Sequence, residues 1–106
     1  MLLRVEDFSF TAALWQWEAQ TTSAWFFVTL PVELADDLRL QAGPPRGFGS
    51  IRVEAVIGSS VWTTSVFPSS DTGSFVLPVK KPVRVKEGIE AGDLVEVSLR
   101  PLDLGS

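Results

Sequence analysis

The chain has 106 residues, 45% of them hydrophobic, with 9 Lys and Arg against 13 Asp and Glu for a net charge of -4. That size suits one domain with one core, so a single unit over residues 1–106 is expected. The complete absence of Cys and His excludes disulfides, thiolate catalysis and imidazole bases, and it removes the commonest transition-metal ligands.

The first predicted strand runs from Phe8 to Trp17. Phe8, Phe10, Ala12 and Leu14 share one face, and Ser9, Thr11, Ala13, Trp15 and Trp17 share the other. Polar residues 18–23 form a turn, and the nearly continuous apolar run Ala24 to Leu30 reads as a second strand. Pro31 then opens a helix with Glu33, Asp36 and Asp37 toward its positive end and Leu34 and Leu38 facing inward. Gly43-Pro44-Pro45 ends it.

A third strand, Ser50 to Ile57, alternates Ile51, Val53, Ala55 and Ile57 against Arg52, Glu54 and Val56. Gly58-Ser59-Ser60 makes a hairpin turn into a fourth strand, Val61 to Phe67, and Pro68 with Asp71-Thr72-Gly73 makes the next turn. The fifth strand covers Ser74 to Pro78. Pro82 opens a short second helix that ends near Gly88, and Gly92-Asp93 turns the chain into a last strand, Leu94 to Leu99.

Leu14-Trp15 recurs as Val61-Trp62, and Leu30-Pro31-Val32 as Leu77-Pro78-Val79, both at a shift of 47 residues. The order strand, strand, helix, strand thus occurs twice, over about residues 8–57 and 58–100. Neither half covers both faces of its own sheet, so their pairing about a pseudo-twofold axis predicts a mainly β, six-stranded pseudo-barrel with two short helices.

Trp25-Phe26-Phe27-Val28-Thr29-Leu30-Pro31, Gly47-Phe48-Gly49-Ser50, Trp62-Thr63-Thr64-Ser65-Val66-Phe67-Pro68, Leu77-Pro78-Val79-Lys80, Val83-Arg84 and Gly92-Asp93 occur in order. Together they resemble the bacterial domain of unknown function 1905 over about residues 8 to 99. The resemblance implies a double-split β-barrel, an architecture shared with swapped-hairpin regulators, and it implies no known activity. The sequence departs from that family at Phe26, where a polar ring is common, and at Pro82, which shortens the second helix.

Chemistry-bearing motifs are few. Ser50, Ser65, Ser69 and Ser70 lack a histidine to activate them and lie in neither a GxSxG nor an SxxK arrangement. Gly47-Phe48-Gly49 leads into a strand, with Arg52 where a dinucleotide fingerprint needs its third glycine. The carboxylates lack the spacing of a calcium loop. The expectation is therefore a non-catalytic protein without metal or cofactor.

Lys80, Lys81, Arg84 and Lys86 form the one concentrated basic stretch. They read either as a solubilising surface or, with Arg46 on the glycine-rich loop and Trp62 and Ser65 as an aromatic wall and a hydroxyl, as a site for a small anionic ligand or an acidic protein segment. The four Trp either fill core or, at Trp62, wall that pocket.

A nucleic-acid regulator of the swapped-hairpin type is the alternative, opposed by the acidic balance. A structural or protein-interaction role is a further one. No apolar run approaches a signal peptide or a membrane span, so a cytoplasmic monomer or weak homodimer without a membrane partner is expected.

Overall fold

The computed structural model describes residues 8–17, 25–41 and 49–102. They form β1 (Phe8–Ala13), β2 (Trp15–Trp17), β3 (Trp25–Thr29), α1 (Val32–Gln41), β4 (Ile51–Ile57), β5 (Ser60–Ser69), β6 (Ser74–Pro78), α2 (Lys81–Glu87) and β7 (Leu94–Pro101). All strand pairings are antiparallel, in the order β1-β7-β4-β5-β6-β3-β2, and the sheet is curled into a half-barrel carrying two helices.

The described residues hold seven strands where six were expected, because the first is broken at Leu14. Its side chain stays in the core, 1% exposed, but its backbone leaves the ladder. The Leu14 amide donates to the Asp93 carbonyl (2.9 Å), and its carbonyl accepts from the Gly92 amide (2.8 Å). Strand β1 pairs with β7 before the break, and β2 pairs with β3 after it. The chain thus passes from one end of the sheet order to the other at a single residue.

Strand β5 makes the same passage without a break. Residues Ser60 to Val66 pair with β4, and Phe67 to Ser69 pair with β6. It is longer than expected because Pro68, opposite Phe75, lies in the stretch where pairing changes partner and a missing amide is tolerated.

The pairing order reads the same when the halves are exchanged, but the residue correspondence differs from the motif matches. Trp15↔Phe27 is echoed by Phe67↔Val76, so Phe27 to Val76 is a step of 49 residues and Trp15 to Phe67 one of 52. The shift of 47 fails because Leu30-Pro31 lies beyond the end of β3, whereas Leu77-Pro78 is still inside β6.

Alternation sets the core. Ile51, Val53, Ala55 and Ile57 are buried, as are Val95, Val97 and Leu99 of β7. In α1, Ala35 and Leu38 are fully buried and Leu34 is partly so. The pair Val28↔Leu77 sits at the centre of the β3–β6 ladder with both side chains at 0% exposure. Burial of each such side chain contributes roughly 1.5–3 kcal/mol. Among the described residues, no helix is long and apolar enough to cross a membrane.

Candidate binding surface

Of the five residues singled out from the sequence, Trp62, Ser65, Lys80 and Arg84 are described, and they do not line one pocket. Trp62 and Ser65 lie an odd number of positions apart on β5, opposite Ala55 and Arg52 respectively, and therefore on opposite faces. Trp62 packs against the core and Ser65 faces outward, so the two do not line one pocket. Lys80 is the exposed N-cap of α2, with extended backbone and no side-chain capping bond. Arg46 lies outside the described residues.

Arg84 is half-buried and committed to structure. Its guanidinium carbon lies 3.8 Å from the centroid of the Phe26 ring, and its Nε donates to the Val79 carbonyl (3.1 Å). Arg84 and Lys86 also stand in the last turn of α2, where cations favour the helix dipole. The basic stretch thus has a structural function at Arg84.

The C-terminal end of α2 is also held by Glu87, its last residue. Ser60 Oγ donates to Glu87 Oε2 at 2.7 Å and Ser59 Oγ at 3.1 Å. The Ser60 hydroxyl is the main cause that holds the Glu87 carboxyl below its ordinary range, because a donated hydrogen bond favours the charged form. Gly58 makes room for this contact: at φ +57 it adopts the left-handed region, and a Cβ there would collide with Glu87 Oε1.

The outer face of β2 and β3 is of a different kind. The register places Trp15 opposite Phe27 and Trp17 opposite Trp25, so all four rings share one side, while Val28 points to the core. Trp25 and Phe27 stack with centroids 6.3 Å apart and 12° between planes, and Trp15 tilts against Phe27 at 5.1 Å. Trp17 and Trp25 remain 52% and 49% exposed.

The same face continues across Thr29↔Val76 to Phe67, itself 43% exposed. No charged side chain occurs at these register positions. Trp15 Nε1 donates to Thr29 Oγ1 (2.9 Å). Among the described residues, the indole N–H groups of Trp17 and Trp25 have no acceptor within the chain.

On the outer face of β1, β7 and β4 runs an open groove of about 500 Å³, lined by Ser9, Thr11, Val56, Glu96 and Ser98 among others. Ser9 Oγ and Ser98 Oγ are hydrogen-bonded at 3.0 Å. Glu96 brings a carboxylate to this groove and stands directly opposite Thr11 in the β1–β7 ladder. Among the described residues, no three acidic side chains gather as metal ligands would.

The sequence reading gave the tryptophans to the core or to a pocket around Trp62, and it missed the platform made by Trp15, Trp17 and Trp25. The signal was present in the alternation: Trp15 and Trp17 fall on the face of Ser9 and Thr11, opposite Phe8, Phe10 and Leu14. Which residues of the next strand stand opposite them is a matter of register, and that requires the structure.

A family model described as "Domain of unknown function (DUF1905)" matches residues 10–99. No curated protein matches the chain significantly.

Proposed function

The chain belongs to this family of domains of unknown function, and for it we propose the role of a non-catalytic peptide-binding module that works through the aromatic outer face of β2 and β3. The observation that carries this reading is the pair Trp17↔Trp25, two half-exposed indoles directly opposite each other on a sheet face with no charged side chain at its described register positions. Large exposed apolar patches on soluble domains mark interaction sites, and Trp is among the residue types that dominate interface energies. Covering both rings would contribute on the order of 3–6 kcal/mol before the costs of association.

In this reading the two passages, at Leu14 and along β5, are the shared strands of the double-split barrel, and the barrel is a rigid scaffold for the face. A peptide is favoured over nucleic acid because the described residues of the face include no cation and the chain is acidic. The reading is tested by selecting random peptides displayed on phage against the wild-type chain and against the double variant Trp17→Ser/Trp25→Ser. Enrichment on the wild type that disappears on the variant supports it. Equal enrichment on both, or none on either, rejects it.

A further inference from the structure

We infer that the segment bound by the Trp17–Trp25 face is proline-rich and in the polyproline II conformation. The inference rests on the reading of that face as the binding surface, and it follows from the hydrogen-bonding inventory of the face. Indole nitrogen donates and never accepts. Two such donors, Trp17 Nε1 and Trp25 Nε1, stand on the face without an acceptor among the described residues, whereas the third, Trp15 Nε1, is already bonded to Thr29 Oγ1 at 2.9 Å. The face therefore offers donors and aromatic area, with no carboxylate or amide acceptor at its register positions.

A fitting occupant brings acceptors, brings few donors of its own and carries no net charge. Proline has a backbone carbonyl and no N–H. In the polyproline II helix the carbonyls make no internal hydrogen bonds and project outward, while the pyrrolidine rings present flat apolar surfaces. Such a helix is also largely ordered before binding, so it loses little entropy on docking against aromatic side chains.

Other occupants match less well. A saccharide brings hydroxyl donors to a face on which, at the register positions of β2 and β3, the Thr29 hydroxyl is the one side-chain acceptor and already accepts from Trp15. A nucleic-acid base brings a phosphate to an acidic chain. A second copy of the chain would set indole donors against indole donors.

The test is a titration of the full chain with a decaproline peptide, followed through the indole N–H resonances, alongside the phage selection described above. The expected result is a saturable shift of the Trp17 and Trp25 indole signals with little change at Trp62. Trp17→Phe and Trp25→Phe keep the ring and remove the donor, so each should weaken decaproline binding by about threefold to tenfold, the value of one net hydrogen bond. Their unchanged backbone amide spectra would certify the fold.

Absence of any shift, while phage selection yields peptides that need Trp17 and Trp25 but lack proline, overturns the inference and leaves the binding face intact. Absence of both overturns the two together. Decaproline binding that the Phe variants leave undiminished also overturns it, as does a concentration-dependent dimer abolished by Trp17→Ser/Trp25→Ser, which would make a second copy the occupant.

Discussion

Arg84 of α2 lies with its guanidinium carbon 3.8 Å over the ring of Phe26 on β3, and the opposite half repeats the device, with Arg39 of α1 4.8 Å over Phe75 on β6. Phe26 and Phe75 are equivalent positions, separated by the same 49 residues as the starts of their strands. Each helix is thus pinned to a strand of the other half. Arg39 adds hydrogen bonds to Asp36 (2.8 Å) and to the Gly73 carbonyl (3.1 Å).

Removing the Arg84 contact should loosen α2. Arg84→Ala is expected to lower the unfolding free energy by about 1–2 kcal/mol. Arg84→Lys should recover only part of that, because an ammonium neither stacks as a plane nor reproduces the Nε bond to Val79. Urea denaturation of the two variants measures both effects. Equal stability of Arg84→Lys and wild type would return this residue to a purely electrostatic role.

Glu87 makes α2 sensitive to acid. Its pKa in the folded chain is depressed, chiefly by the Ser60 hydroxyl. The contribution is therefore complete above the unfolded-state value and lost as pH falls through the folded one. From about pH 5 downward, wild-type stability should fall more steeply than that of Glu87→Gln. Amide hydrogen exchange should place the loosening in residues 81–87.

Gly58 and Glu87 should be coupled. Gly58→Ala places a Cβ at φ +57 and against Glu87 Oε1, and a cost of about 1–2 kcal/mol is expected from the left-handed backbone alone. In the Glu87→Ala background the collision is gone and only the backbone cost remains. A double-mutant cycle separates the two, and strict additivity would mean that the carboxylate has moved aside freely.

Leu77 and Trp17 should respond to truncation by very different amounts. Leu77 is fully buried at the centre of the β3–β6 ladder, so Leu77→Ala is expected to cost about 2–5 kcal/mol. Trp17, half-exposed, should change stability by only about 0.5 kcal/mol on Trp17→Ala, as surface substitutions do. Thermal melts compare them directly. A large loss at Trp17 would make the indole a structural element and weaken its assignment to a partner.

Strands whose neighbours impose a strict period of two were legible from the residues alone, β4 being the clearest, with every second side chain from Ile51 to Ile57 buried. So was the end of α2, where Gly88 takes the left-handed C-cap at φ 65. The break at Leu14 was not, because its side chain keeps the inward alternation of Phe10 and Ala12 while its backbone pairs with a turn distant in sequence. The separation of the described residues of the expected anion site was hidden for a related reason: Trp62 and Ser65 belong to one motif but to opposite sides of a strand, and Arg84 finds its partner in Phe26, on a different strand.

The pairing of Phe8 with Leu99 has a consequence for synthesis. Among the described strands β1 leaves the ribosome first and β7 last, so β1 waits without its ladder until nearly all of the described chain has been made. Topologies dominated by such distant pairings fold slowly, over milliseconds to seconds. The apolar face of Phe8 and Phe10 is therefore open to other contacts during that interval, and loss of the C-terminal strand would leave the N-terminal one with no mate along its edge.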